Sequence, residues 1–262
     1  MNKAPGRIAA IALVPTLLVG PLLAVTLATM AWPQRPAEAL FVPIEALGVG
    51  LPALLLTGPG NLAARLGRSG WTACRPSAVV AATMGMLGLA ILMTYGQMVW
   101  SEITGLSMPE GLADLMAIDG FGPKLAWLAV GAVILPGLCE EMAFRGVLQR
   151  GLFRIHEARE GMPWARIAAV TAMFAAFHQD LYGLPSYLVL GAWLGLVAWR
   201  TGSLWPGVVA HMANNALALV QANLLEDPWW LAHVAFLAPT GLVVAVAASW
   251  WLFRPARPIP IP

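Results

Sequence analysis

An all-α fold, a polytopic bundle of about eight transmembrane helices, is what this sequence predicts, and three observations carry that expectation. Only 11% of the 262 residues are charged and 59% are hydrophobic, with a mean hydropathy of +0.74. A soluble globular chain carries about 25% charged residues and needs them to face water. The apolar residues fall in eight blocks, and a bilayer takes roughly 20 residues of helix to cross. Lys and Arg cluster in alternate loops, the pattern that sets membrane orientation.

The first block, Ile8–Ala31, follows Lys3 and Arg7. It is about twice the 7–15 apolar residues of a secretory signal, so it reads as a retained helix despite the small-residue pattern Ala37-Glu38-Ala39. Leu40–Leu56 is the second block, contains the intramembrane acid Glu45, and leads into a basic loop with Arg65, Arg68 and Arg75. After the third, Ala78–Met98, the loop Val99–Lys124 carries Glu102, Glu110, Asp114 and Asp119, with a short interfacial helix expected around Met108–Met116. The fourth, Leu125–Leu138, runs on to Arg145, Arg150, Arg154, Arg159 and Arg166, and Gly146–Arg166 is amphipathic enough to lie along the membrane surface. Ile167–Phe177 and Leu184–Trp199, the fifth and sixth, flank Asp180 and are followed by Arg200. Leu204–Leu225 precedes Glu226 and Asp227, and Leu231–Phe253 precedes Arg254 and Arg257. The proline-rich tail beyond cannot continue a helix.

With Arg35 and Lys124 as the exceptions, basic and acidic loops alternate, which places both termini in the cytoplasm. Trp32, Trp100, Trp229, Trp230, Trp250 and Trp251 stand near block ends, as interfacial aromatics do. No linker or internal repeat divides the chain, so residues 1–262 read as a single integral membrane domain. The net charge of +2 is topological and gives no sign of nucleic acid as a partner. Cys74 and Cys139 suggest no disulfide framework. Two lysines against thirteen arginines suggest a GC-rich bacterial genome, hence a multi-pass inner-membrane protein.

Ionisable residues inside a membrane helix cost about 2.5–3.5 kcal/mol each on insertion scales, so each needs a reason. Glu141 and Arg145 are an i,i+4 pair in the favourable order, on one helix face. Glu140 points about a quarter-turn away, which leaves one carboxylate neutralised and the other available. Adjacent carboxylates of this kind titrate as a coupled pair and suit general-base work. Phe174 and His178 share a face of the fifth helix, so the phenyl ring can fix the imidazole. His211 and Asn215 share a face of the seventh, with Asn214 beside them. Counted at about 1.5 Å per residue, Glu140 and His211 lie at similar depth in the inner half of the membrane, with His178 somewhat deeper. A Glu, two His and an amide donor at one level can activate water and hold an oxyanion, or ligate a metal.

Two look-alikes are set aside. His156-Glu157-Ala158-Arg159-Glu160 ends in Glu where a zinc-protease helix needs a second His. Gly67-Arg68-Ser69-Gly70 spells an intramembrane serine motif but falls in a basic loop. Glu45, another intramembrane acid, is expected to line the site or a cavity, and nothing in its spacing says which.

In that order on three membrane helices, Glu140-Glu141-x-x-x-Arg145, Phe174-x-x-x-His178 and His211-x-x-x-Asn215 resemble the CPBP family. These are the CAAX prenyl proteases and bacteriocin-processing enzymes of the glutamate intramembrane protease type. Thr201-Gly202-Ser203-Leu204-Trp205-Pro206-Gly207 is similar to the family's approach to its third motif, and the likeness covers roughly residues 125–220. It implies about eight helices around a conical cavity open to the cytoplasm. It also implies that Glu140 and His178 activate a water, that His211 and Asn215 stabilise the oxyanion, and that Glu141, Arg145 and Phe174 support them. No cofactor is favoured, although a divalent metal such as zinc, held by Glu140, His178 and His211, stays open. The implied partners are a membrane-associated peptide or protein and the lipid bilayer. Two other classes use the same residue types: a proton-coupled transporter, and a non-catalytic peptide-binding or bacteriocin-immunity protein. The first expects polar groups through both leaflets, whereas here they cluster at one depth.

Overall fold

The computed structural model describes residues 6–118, 120–153, 164–224 and 228–254. Lys3, Asp119, Arg154, His156 to Glu160, Glu226, Asp227, the tail from Pro255, and the side chains of Arg7, Trp229 and Trp230 lie outside that description.

Every apolar block is helical, and among the described residues there are ten helices and no strand. They are α1 (Arg7–Ala31), α2 (Ala37–Leu56), α3 (Leu62–Ser69), α4 (Pro76–Thr104) and α5 (Leu112–Met116), then α6 (Pro123–Gln149, continued by Arg150–Phe153). The last four are α7 (Trp164–Phe177), α8 (Leu184–Thr201), α9 (Trp205–Ala222) and α10 (Pro228–Phe253). By length and composition, α1, α2, α4, α6 and the His233–Phe253 part of α10 suffice to cross a membrane, and α7 is a shorter apolar helix. Three of the eight expected crossings fall outside those five: the short α7, and also α8 and α9, whose composition is the reason. Arg200 in α8 and His211, Asn214, Asn215 and Gln221 in α9 dilute their hydropathy. The two additional helices are short: α3 in the basic loop, and α5, inside the Met108–Met116 stretch where an interfacial helix was expected.

Small residues set the helix contacts, as expected where lipid supplies no hydrophobic drive to associate. A Cβ on Gly88 of α4 would lie 2.9 Å from the backbone nitrogen of Ala245 in α10, so these helices touch through their backbones. Gly85 leaves room for Trp193 of α8, whose Nε1 donates to the Ala82 carbonyl at 3.0 Å. In α6, a Cβ on Gly137 would meet the Met212 side chain at 2.6 Å, which brings α9 against the carboxylate-bearing turn.

Hydrogen bonds between helix ends define two faces. On one, Leu204 N donates to Gly70 O, Ser203 Oγ to Thr72 O, Arg150 to Gly202 O, and Arg200 to Arg254 O. This face gathers Arg65, Arg68, Arg75, Arg150, Arg166, Arg200 and Arg254. On the other, Trp100 Nε1 donates to Leu181 O, Ile118 N to Asn223 Oδ1, and Lys124 Nζ to Asp114 O. Glu102, Glu110, Asp114 and Asp180 belong to this second face.

Candidate active site

The carboxylate-bearing stretch is not regular α-helix. The chain winds as π-helix over Ala129–Ile134 and Glu141–Gln149 in α6, and over Ile44–Gly50 in α2. Such wide turns are rare and gather at functional sites. Here they flank Glu140 and carry Glu141 and Glu45, all three buried.

Glu141 and Arg145 do pair, with Arg145 donating to Glu141 Oε1 at 2.8 Å. The other arm of the guanidinium donates to Gly191 O of α8 at 2.9 Å, and its carbon stands 4.7 Å from the Phe174 ring centre. One turn on, Gln149 donates to Gly195 O at 2.9 Å. These bonds need α8 close to α6, and the missing side chains of Gly191 and Gly195 let it lie close to α7 as well. A Cβ at those positions would stand 3.1 Å from Thr171 and 3.0 Å from Ile167. Glu141, Arg145 and Gln149 are essentially inaccessible, at 0, 0 and 1% exposure, and they close the site on its arginine-bearing side.

His211 joins this network from α9. Its Nδ1 lies 3.2 Å from Glu141 Oε1, and its Nε2 lies 3.9 Å from Glu140 Oε2. A carboxylate paired to arginine accepts only, so Nδ1 carries a proton. Gly207, one turn earlier, makes the approach possible, since a Cβ there would be 2.9 Å from Glu141 Oε2. Glu140 Oε2 has no hydrogen-bond partner among the described residues. The two carboxylates thus divide as the helical spacing requires, one bonded from two sides and one left over.

His178 ends α7. Its Nδ1 donates to Phe174 O at 2.8 Å, an arrangement that leaves Nε2 as an acceptor. The ring is 4.7 Å from Phe174, as the shared helix face requires, and it stacks on Tyr187 of α8 at 4.0 Å and 23°. Tyr187 donates to Asp180 Oδ2 at 3.2 Å, and Asp180 accepts from the backbone N–H groups of Tyr182 and Gly183 at 2.9 and 3.0 Å. The chain reverses between His178 and Asp180 through Gln179, whose φ of +51° is uncommon for a residue with a side chain. Asn215 donates to Ala132 O at 3.2 Å and accepts from Asn214 at 3.2 Å, which fixes its orientation and leaves it one further N–H.

Glu140, His178, His211, Asn214 and Asn215 line one cavity of about 450 Å³, so three helices bring the expected side chains to one place. Glu141, Arg145 and Phe174 stand behind its wall. The first 120 residues, which the sequence motifs do not reach, also build the wall: Phe41 and Glu45 from α2, Met93 and Gln97 from α4. Gln97 accepts from Ser186 across the cavity at 3.1 Å. Glu45, expected to line the site or a cavity, lines this one, whereas sequence reasoning missed Tyr187 and Asp180. The available signal for those two was Asp180 closing a turn two residues after His178, with an aromatic in the next helix's first turn.

As for metal, no three His, Cys, Asp or Glu side chains converge as ligands among the described residues. The trio Glu140, His178 and His211 would have to rearrange to hold one. Cys139 is buried in α6, Cys74 is partly exposed in the basic loop, and both are free thiols. Ser69, of the serine look-alike, is buried with its hydroxyl donating to Leu66 O at 3.0 Å, on the arginine-bearing face.

Fold and site together describe a helical membrane protein with a polar, carboxylate- and histidine-bearing cavity between its helices. Residues 122–217 match the family model of the type II CAAX prenyl endopeptidase, Rce1-like, a protease family. This is the family its three motifs resemble, and the match spans α6 to α9. No curated protein and no solved structure matches the chain.

Proposed function

We propose that the chain is an intramembrane endopeptidase that hydrolyses a peptide bond of a membrane-associated protein or peptide. The observation that carries this reading is the convergence of Glu140, His178, His211 and Asn215, from α6, α7 and α9, on one cavity. Glu140 takes a proton from water while Nε2 of His178 accepts the water's other hydrogen bond. The hydroxide adds to the scissile carbonyl, and the oxyanion is held by the remaining N–H of Asn215 and by His211 through Nε2. The carboxylate of Glu141, 3.2 Å from His211 Nδ1, stays ionised beside it throughout, while Glu140 holds the proton taken from water. Collapse breaks the C–N bond, and Glu140 returns its proton to the leaving amine. Arg145 and Phe174 position Glu141 and His178.

In this reading residues 1–262 form one integral membrane domain of eight crossings with a catalytic core at 125–220. Both termini are cytoplasmic, and the bilayer is the inner membrane. The mechanism is of the glutamate type, with no metal favoured in it; undiminished activity in a strong chelator is the expected result. Comparing the peptide termini of membrane proteins from cells carrying wild type or Glu140→Gln tests the whole proposal. New termini that vanish with the variant, while the protein still accumulates in the membrane, are expected. Identical termini would remove the enzyme reading.

A further inference from the structure

Two of the reactive groups, Glu140 and His211, lie nearer the arginine-bearing ends of their helices, whereas His178 and Asn215 lie nearer the opposite ends, and the cavity leaves in their direction. Glu140 is closer to the Arg150 end of α6 than to Pro123, and His211 is closer to Trp205 than to Ala222. From there the cavity wall runs through Met93 and Met98 of α4, Met108 and Leu112, Tyr182, and Ala222 at the end of α9. All of these belong to the acidic face. On the arginine side, the buried layer of Glu141, Arg145 and Gln149 closes the way. An arginine-rich face marks the cytoplasm. The two sequence expectations, arginines inside and a cavity open to the cytoplasm, therefore do not hold together in this chain.

We propose that the cavity admits its polypeptide from the extracytoplasmic face, and that the segment it takes is apolar and free of acidic residues. The direction rests on the two faces and the closed floor. The occupant rests in addition on the peptidase reading above. Charge complementarity argues for the occupant: among the described residues the lining holds Glu45, Glu140 and Asp180 but no Lys or Arg. A carboxylate entering such a space would meet acidic side chains and find no Lys or Arg to pair with. Four methionines and three leucines, flexible apolar side chains that adapt to varied segments, line the wall among alanines and uncharged polar residues.

The direction is tested by single cysteines in a Cys74→Ser background, with the buried Cys139 left in place. Met98→Cys and Met108→Cys mark the cavity mouth, and Leu62→Cys, whose native side chain is 59% exposed, marks the arginine face. With a membrane-impermeant maleimide, either mouth cysteine labels in intact spheroplasts and Leu62→Cys only in inverted vesicles. The reverse pattern overturns the proposal whatever the protein catalyses. The occupant is tested in proteoliposomes whose orientation that labelling has fixed, with two quenched Ala/Leu peptides added outside, one carrying two aspartates. Cleavage where the mouth faces outward, slower by about tenfold or more for the aspartate peptide, is expected. Equal rates overturn the occupant. Correct labelling with no Glu140-dependent cleavage of either peptide refutes the peptidase reading and its occupant, and leaves the direction standing.

Discussion

Replacing Arg145 by methionine separates the support of the site from its chemistry. The guanidinium is wholly buried, donates to Glu141 at 2.8 Å and to Gly191 O at 2.9 Å, and lies over the Phe174 ring. Arg145→Met leaves the Glu141 carboxylate buried with only His211 beside it, and unpairing one partner of a buried ion pair costs about 3–5 kcal/mol. At roughly 2–4 °C per kcal/mol for a chain of this size, the midpoint should fall by about 6–20 °C. The double variant Glu141→Gln with Arg145→Met has no uncompensated charge and should recover at least half of that loss, because a neutral, well-packed replacement of a buried pair is often tolerated. Catalysis should not recover with it, since His211 then lacks the carboxylate that fixes its Nδ1 proton. Thermal unfolding in detergent, followed by the fluorescence of the 12 tryptophans, reads the stability. A single variant that loses less than about 2 °C, or a double variant no better than the single, refutes the argument that the loss comes from an uncompensated buried charge.

Three smaller perturbations test other contacts. Gly207→Ala puts a methyl 2.9 Å from Glu141 Oε2; activity should fall about 10–100-fold at a stability loss of about 1–3 kcal/mol, and unchanged turnover counts against the close approach of α9. Tyr187→Phe keeps the stack on His178 but removes the bond to Asp180, so it should cost about 0.5–1.5 kcal/mol of stability with turnover nearly intact. Tyr187→Ala should lower kcat more than stability, and equal effects of the two would show that stacking does not position His178. Asn215→Ala should reduce kcat by about 10²–10³ with little change in KM, as loss of an oxyanion donor does. A loss confined to KM would place Asn215 in binding instead.

Much of this was legible in the sequence, for physical reasons. Apolar runs long enough for a bilayer must be helical, because unpaired backbone groups are intolerable in lipid, and all eight became helices. The i,i+4 spacing of Glu141 and Arg145, and of Phe174 and His178, translates directly into contacts of 2.8 and 4.7 Å. What stayed hidden depends on contacts between distant segments. Whether Glu45 of α2 lines the site or another cavity is decided by the way α1 and α2 pack on α6, which no local pattern records. The π winding of α6 has no composition signal of its own. Tyr187 and Asp180 act on His178 across a turn whose geometry depends on Gln179 adopting a positive φ. The direction of the cavity follows only from seeing which loop ends share a face.

The distribution of hydrogen bonds gives the site its logic. In folded proteins the large majority of buried polar side-chain atoms find partners, and those that do not call for explanation. Below the cavity, Glu141, Arg145, Gln149 and His211 each make at least one hydrogen bond inside the protein. At the cavity wall, Glu140 and Glu45 each retain an oxygen with no partner among the described residues. Glu141 Oε2, Arg145 Nε and Gln149 Oε1 also lack partners among the described residues, but of all these residues only Glu140 and Glu45 line the cavity with their unpaired atom. The network below it is rigid enough to hold His211 against Glu141 while Glu140 stays free, and a group that activates water needs that freedom.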